Sequence, residues 1–369
     1  MVKDKSNSKS FLKRIFGRSL ILVWSAVATF LLTEILSASP SFTESVYSES
    51  IYPVIASVLT AFSRWFPFSL DDLFYIFLIA FGLICLLLVV FRRMRIRKFL
   101  TILVNSMAIL YISFYLLWGF NYFREPLNER LEVVKSKPNT EEFLSVFKQV
   151  IQETNDSYIA MDSVNKQQID SLVEVSYHRL SAFLKLDYPS GVRRAKTITF
   201  SKFFAAASVS GYYGPFFSEV QINRNLLPIE YPLVLAHEKA HQFGITSEAE
   251  ANFYAWLVCT QSPSRELQYS ANLYLLRYFI YEGYELKDFK ELVVGIDKPV
   301  KDDLRKIREH WLKLRNKKID AVAAKVNDAY LKTNKVEKGI EDYTGVVQFV
   351  MDFETDSLAR KRVFSIRSQ

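Results

Sequence analysis

Three long apolar runs near the N-terminus limit the possible folds of this chain more than any other feature. They cover residues 19–37 (SLILVWSAVATFLLTEILS), 73–91 (LFYIFLIAFGLICLLLVVF) and 99–120 (FLTILVNSMAILYISFYLLWGF). Each run is close to the ~20 residues that a helix needs to cross the hydrocarbon core of a bilayer. A cleaved signal peptide would explain the first run alone, so we expect three transmembrane helices.

Basic residues predict the orientation of these helices. They cluster ahead of the first run and between the second and third, at Lys3, Lys5, Lys9, Lys13, Arg14, Arg18, Arg92, Arg93, Arg95, Arg97 and Lys98. Such clusters stay in the cytoplasm, so everything after about residue 122 is expected outside it, beyond the inner (cytoplasmic) membrane. In a Gram-negative cell that space is the periplasm. The formal net charge of +8 is then explained by membrane topology, and no nucleic-acid partner is expected.

The sequence therefore predicts a membrane domain over residues 1–123 and an outer domain over 124–369. Cys85 and Cys259 are the two cysteines, and both lie within predicted helices, so no disulfide framework is expected. Helical periodicity dominates the outer domain at about 140–154, 167–184, 231–243, 247–261, 264–282, 298–332 and 339–355. Short β-rich stretches at 196–200 and 218–223 predict a small sheet, with a loop or irregular edge at 203–217 between them. The expected fold class is mainly α (α+β).

Three further segments carry weaker expectations. The aromatic, amphipathic stretch 42–68 is expected to lie flat at the membrane interface. Residues 118–127 (WGFNYFREPL) mark the exit from the third span, with their aromatic side chains at interfacial depth. The basic C-terminal tail from Ala359 is expected to be loose.

A short motif in the outer domain, HEKAHQFGITSEAEAN at 237–252, predicts a metal site. On a helix, His237 and His241 lie one turn apart on the same face, so both imidazoles can reach one ion. Glu238 is turned away from the ion but can take a proton from a water whose pKa zinc lowers toward ~7. This pattern is typical of zinc hydrolases, and Glu238 is expected to be the general base.

A catalytic zinc needs a third protein ligand and an open fourth position. Glu248 and Glu250 are the nearby candidates, and they would point about 200° apart on a helix. The spacing favours Glu248 as the ligand and leaves Glu250 as a solvated charge. Asn252, one turn after Glu248, is expected to hydrogen-bond His237 and orient its ring.

Together these residues resemble the gluzincins, in which a glutamate from a second helix completes the site. The chain also resembles the DUF3810 family of bacterial membrane proteins, in WGFNYFREPL, SGYYGPFFSEVQIN, LAHEKAHQFGITSEAEANFYAWLVC, YSANLYLLRY and VNDAYLKTNKVEKGIEDYTGVVQFVMDF. The resemblance spans most of residues 110–355 and implies a zincin-like metallopeptidase domain, without a known substrate.

The motif departs from the gluzincin pattern in three ways. Asn252 stands where many gluzincins carry aspartate, Lys239 is expected to face solvent where a small or apolar residue is usual, and the gap before Glu248 is short. The short gap is similar to that of metzincins, but their third ligand would fall on Ser247. No methionine follows until Met351, so we reject the metzincin interpretation.

The sequence thus predicts a membrane-anchored zinc metallopeptidase that hydrolyses peptide bonds near the membrane surface. SEVQIN (218–223) is either the edge strand that holds the substrate or an ordinary buried strand. The oxyanion stabiliser is left open among Tyr212, Tyr213, Tyr269 and Arg277.

The alternative is a non-catalytic membrane sensor or assembly factor with a structural zinc site. Cys259 is the obvious fourth ligand by chemistry, but it lies too far along the helix to reach. A transporter is disfavoured because Glu34 is the one acidic residue within the spans. The partners expected are a peptide substrate and the lipid bilayer, and no oligomeric state is predicted.

Overall fold

The computed structural model describes residues 20–137, 139–188 and 193–367. The helices of the first third are α1 (Ile21–Ser37), α2 (Pro40–Ser63), α3 (Leu70–Val90) and α4 (Ile96–Leu117). The later helices are α5 (Leu127–Arg130), α6 (Thr140–Ser157), α7 (Lys166–Leu180), α8 (Ser201–Ala206), α9 (Tyr231–Gln242), α10 (Glu248–Thr260), α11 (Arg265–Gly283), α12 (Phe289–Val294), α13 (Lys298–Leu314), α14 (Lys317–Thr333), α15 (Val346–Thr355) and α16 (Ser357–Arg367). The fold is mostly helical with one small sheet, as predicted. The basic cluster at residues 3–18 lies outside the described residues.

Two or three of the described helices are apolar enough to span a membrane. Helices α3 and α4, of 21 and 22 residues, each meet the requirement alone. Helix α1 has 17 residues and meets it only together with α2, from which it is bent by 109°. The second and third predicted spans thus form helices of sufficient length, whereas the first counts only as part of a bent pair.

Helix α2 covers the stretch expected to lie flat at the interface, and its two faces differ. Tyr47 and Tyr52 are buried in the same apolar core as the later helices, while Val54 and Val58 are 63% and 64% exposed. Phe120, in the stretch expected at interfacial depth, is also buried in that core. Packing therefore crosses the boundary predicted at residue 123.

The sheet has three strands in the order β1-β3-β2. Strand β1 (Lys196–Thr197) pairs parallel with β3 (Glu219–Ile222), and β2 (Gly211–Gly214) pairs antiparallel with the other side of β3. Two strands were predicted, and both are shorter than expected. SEVQIN forms the central strand, so its interpretation as a substrate-binding edge is wrong.

Strand β2 and the end of helix α8 occupy the stretch that was predicted to be a loop or an irregular edge, and residues 211–214 do form an outer strand. The two glycines of β2 are the reason that no regular strand was predicted, because glycine disfavours strands. Here they allow close packing: a Cβ on Gly211 would lie 2.7 Å from Glu238 Oε1, and one on Gly214 would lie 2.3 Å from Asp71 Oδ2. Strands β1 and β2 are the two outer strands of the sheet, and we refer to β2, the one next to Glu238, as the edge strand.

Two helix predictions near the C-terminus need correction. The helix expected over 298–332 is two helices, because Asn316 leaves helical conformation and caps α14 by accepting hydrogen bonds from the next helical N–H groups. The tail expected to be loose forms α16, which Asp356 caps and which buries Val363.

Candidate metal centre

Helix α9 carries the HExxH motif and ends in a well-defined turn. Pro232 lies in its first turn, where the missing N–H has no cost. Gly244 adopts φ +82°, and its N–H donates to the carbonyl of His241 at 3.0 Å. The N–H of Ile245 donates to the carbonyl of Ala240 at 3.1 Å. These two bonds form a Schellman motif, which reverses the chain direction directly after the second histidine.

Helix α10 begins immediately after this turn. The Ser247 hydroxyl accepts a hydrogen bond from the N–H of Glu250, as expected of an N-cap residue. It also donates to the carboxylate of Asp342 at 2.8 Å. Glu248 is therefore the first helical residue, and the short turn places it back over the face of α9 that carries the histidines.

The three predicted ligands lie around one point. The Nε2 atoms of His237 and His241 are 3.1 Å apart, and the Glu248 Oε2 lies 3.1 Å from the first and 3.5 Å from the second. Ligand atoms about 2.0–2.1 Å from a tetrahedral zinc lie roughly 3.3 Å from each other. The donor atoms and their spacing thus fit zinc. Among the described residues, no other histidine, cysteine or carboxylate joins this group.

A hydrogen bond orients the His241 ring, and charge couples the histidines to Glu248. The Nδ1 of His241 lies 2.6 Å from the carbonyl oxygen of Ile245, which leaves Nε2 as the ligand atom. Burial by itself would lower the pKa of His241, but the Glu248 carboxylate raises that pKa to about 9. Burial would raise the pKa of Glu248, but the two imidazoles hold it well below its usual range.

Glu238 lies beside this cluster, against the edge strand. Its side chain is buried, and its carboxylate lies so close to Gly211 of β2 that a methyl group there would collide with it. Burial raises the pKa of Glu238 to about 7, against the lowering effect of the two histidines. A carboxyl group with a pKa near neutrality is suited to exchange a proton.

Two side chains of the motif were predicted to face water and do not. Glu250 is buried and accepts hydrogen bonds from Arg130 and from the N–H of Leu127. Lys239 is fully buried. Both predictions are wrong for the same reason, because distant segments supply an opposite charge to each.

The remaining motif residue, Asn252, is buried on α10. No hydrogen bond joins its amide to the Nδ1 of His237 among the described residues, and the neighbouring group that interacts with the amide is the Tyr278 hydroxyl. The structure thus has no bond between the two, and the orienting role of Asn252 stays a prediction.

Residues from the first third of the chain hold the C-terminal end of α9. The indole Nε1 of Trp118 donates to the carbonyl of His241 at 3.0 Å, and the Tyr52 hydroxyl donates to the next carbonyl at 2.8 Å. Arg124 donates to the carbonyl of Gly244 at 3.1 Å and pairs with Glu44. These bonds satisfy carbonyls that the end of a helix leaves without partners. The candidate metal centre is thus held by segments that lie next to the apolar helices.

The three ligands and Glu238 line a cleft of about 710 Å³. Its walls are β2, α9, α14 and the short 3₁₀ helix Gly339–Gly345. Tyr212 and Tyr213 line it, but their hydroxyls bind Asp72 and Tyr52. Tyr269 and Arg277, the other two oxyanion candidates, are outside it.

Sequence reasoning did not find Tyr343, which also lines the cleft. Burial raises its pKa well above the usual value, and the neighbouring Glu248 carboxylate adds to the effect. Tyr343 lies in the stretch GIEDYTG of the 3₁₀ helix, which no local pattern connects to the motif. The nearby bond from Ser247 to Asp342 holds that helix against α10.

Comparison with known proteins gives one match. The family model described as "Protein of unknown function (DUF3810)" matches residues 47–351. No curated protein and no solved structure matches the chain. The matched residues include the HExxH helix, Glu248, the edge strand and Tyr343.

Proposed function

The chain belongs to the DUF3810 family, and for this member we propose a membrane-anchored, zinc-dependent metallopeptidase that hydrolyses peptide bonds outside the cytoplasm. One observation carries the proposal. Two imidazole nitrogens and a carboxylate oxygen converge within 3.1–3.5 Å of each other, and a buried glutamate lies beside them in an open cleft. Three protein ligands and an accessible fourth position are typical of catalytic zinc sites.

Zinc held by His237, His241 and Glu248 would supply a Lewis acid and a water of lowered pKa. Glu238 would take the proton from that water and later deliver it to the leaving amine. Tyr343 is our candidate for the group that stabilises charge on the carbonyl oxygen, because it lies beside Glu248 on the cleft wall.

The edge strand gives the substrate a place to bind. No strand among the described residues pairs with the outer side of β2, so part of its backbone remains free to pair with an extended peptide. Gly211 and Tyr212 of this strand line the cleft, and Gly211 touches Glu238. A peptide paired with β2 would therefore pass directly over the proposed base.

A structural zinc site is the competing function, and the geometry disfavours it. Such a site is closed by a fourth protein ligand. Cys259, the candidate by chemistry, is fully buried, with its sulfur 4.0 Å from the carbonyl of Pro232. It does not belong to the ligand group.

The arrangement of the apolar helices supports an extracytoplasmic site. At the start of α3, the N–H groups of Leu70 and Asp71 donate to Glu219 of the sheet at 2.8 and 3.1 Å. A 21-residue helix is roughly 31 Å long, so the α3–α4 turn lies far from the metal centre. That turn carries the exposed basic residues Arg92, Arg93, Arg95, Arg97 and Lys98. If they stay in the cytoplasm, the metal centre faces the opposite side of the inner membrane.

Metal analysis and peptide cleavage test the proposal on the full-length protein in mild detergent. Wild type and Glu250→Ala should each retain about one zinc per chain after dialysis, while Glu248→Ala should lose most of it. Equal zinc in wild type and Glu248→Ala would contradict the ligand assignment.

A mixed peptide library, analysed by mass spectrometry, should be cleaved by wild type. Glu238→Gln should retain zinc and lose cleavage, because the amide cannot accept the proton. Cleavage by Glu238→Gln at the wild-type rate would refute the mechanism.

A further inference from the structure

The cleft around the proposed metal centre is lined almost entirely by uncharged side chains. Six tyrosines and Trp118 contribute to its walls, and among its described lining residues there is no lysine or arginine. Apart from the proposed ligands and base, the one charged side chain is Asp320, which pairs with Arg315. The walls therefore offer no free charge of either sign to a substrate.

This lining determines which peptide groups can bind. A charged group that leaves water needs a partner of opposite charge. A carboxypeptidase must hold a terminal carboxylate, and an aminopeptidase must hold a terminal ammonium group. The described lining beside the proposed ligands has no cation for the first; Arg277, Arg308 and Arg315 line the neighbouring pocket instead. Asp320, the one carboxylate outside the catalytic group, is already paired with Arg315. The lining therefore fits an internal peptide bond within an uncharged stretch of the substrate.

The position of the cleft agrees with an apolar substrate. Trp118 and Tyr122 line it and directly follow α4, one of the two long apolar helices. On the opposite wall, α14 presents small side chains, Ala323 and Ala324, which leave room for bulky groups. Tyrosine-rich surfaces accept aromatic and aliphatic side chains while satisfying backbone polar groups.

We propose that the cleft binds an internal, uncharged stretch of polypeptide rich in aromatic or aliphatic residues and excludes acidic side chains beside the scissile bond. This inference rests on the proposed function and narrows it to an endopeptidase of apolar segments. The aromatic walls would bind the side chains, while β2 would bind the backbone.

Paired inhibitors provide a test that does not depend on turnover. Two N-acetylated peptide hydroxamates, identical except for phenylalanine or glutamate next to the hydroxamate, are titrated into the zinc-loaded full-length protein in detergent. The phenylalanine probe should bind more tightly by about tenfold or more, since the cleft offers the glutamate no partner. Equal affinities, or tighter binding of the glutamate probe, would overturn the inference while leaving the proposed metal site intact. Failure of both probes to bind zinc-loaded protein would overturn the inference and the proposed function together.

A charge introduced into the cleft wall should change the preference. Ala323→Lys supplies a cation on the cleft side of α14 and should reduce or reverse the tenfold preference. Val322→Lys is the matched control, because Val322 is 63% exposed and does not line the cleft. Equal effects of the two variants would overturn the inference, since the charge would then act from outside the cleft. Ala324→Lys gives the same comparison if Ala323→Lys loses zinc.

Discussion

Replacement of Lys239 by methionine tests how the HExxH helix is held in place. The Lys239 ammonium group is fully buried and contacts Glu174, Asp170 at 3.2 Å and the carbonyl of Arg193 at 2.9 Å. Methionine has a similar volume, so the loss of charge is the main change. Removal of one partner of a buried ion pair costs about 3–5 kcal/mol.

The structure places the expected loss at the lower end of that range. Glu174 keeps Arg193 as a partner at 2.7 Å, and Asp170 keeps the N–H of Ala195 at 3.1 Å. Neither carboxylate is therefore left without a partner, and we expect a loss of about 3 kcal/mol in the free energy of unfolding.

Urea unfolding of the zinc-free, full-length protein in detergent, followed by tryptophan fluorescence, measures this loss. Zinc is left out because metal binding would add its own stabilisation. The double variant Lys239→Met/Asp170→Asn should recover part of the loss, since it removes the carboxylate charge that Lys239 no longer balances while Glu174 keeps Arg193. Lys325→Met, at an exposed site on α14, should change stability by less than about 0.5 kcal/mol. A similarly small effect for Lys239→Met would show that Lys239 is in water and would refute this packing of α9.

Three further substitutions have defined outcomes. Gly211→Ala should reduce peptide cleavage by about 100-fold without loss of zinc, because its methyl group would displace Glu238, whose Oε1 would be 2.7 Å away. Glu250→Gln should leave zinc content unchanged but destabilise the protein by about 3 kcal/mol, because the buried Arg130 loses its charged partner. Gly244→Ala should lower both stability and zinc affinity, because φ +82° strains any residue with a Cβ and the turn positions the ligands.

Each outcome can be contradicted by a simple measurement. Normal cleavage by Gly211→Ala would mean that β2 does not approach the proposed base. Zinc loss in Glu250→Gln, with retention in Glu248→Ala, would exchange the roles of the two glutamates. Zinc affinity in Gly244→Ala equal to wild type would show that the turn does not fix the third ligand.

Local sequence patterns predicted most of the motif correctly. The two helices of the motif and the approach of Glu248 to the two histidines follow from a stretch of sixteen residues, 237–252, and its immediate flanks. Within so short a stretch, capping residues determine where a helix begins, and helical periodicity determines on which face of the helix each side chain lies. The apolar runs likewise predicted long helices, because hydropathy and length are read directly from the chain.

The predictions that failed concern partners distant in sequence. Lys239 meets Glu174, which precedes it by 65 residues, and Glu250 meets Arg130 from 120 residues away. Local patterns mark a charged side chain as polar, but they do not show which distant segment covers it. Strand β2 was predicted only as a loop or irregular edge because its glycines are unfavourable for a strand, although close packing against Glu238 and Asp71 requires them.

The sequence by itself determined the helical character of the chain, its apolar segments and the candidate metal ligands, since each depends on neighbouring residues. Only the tertiary structure decided that β2 is the outer strand next to Glu238 and that Tyr343 lines the cleft. It also decided that Trp118, Tyr52 and Arg124 bind the C-terminal end of helix α9. Those features arise where segments far apart in the chain pack together, and such packing leaves no periodic signal in the sequence of either segment.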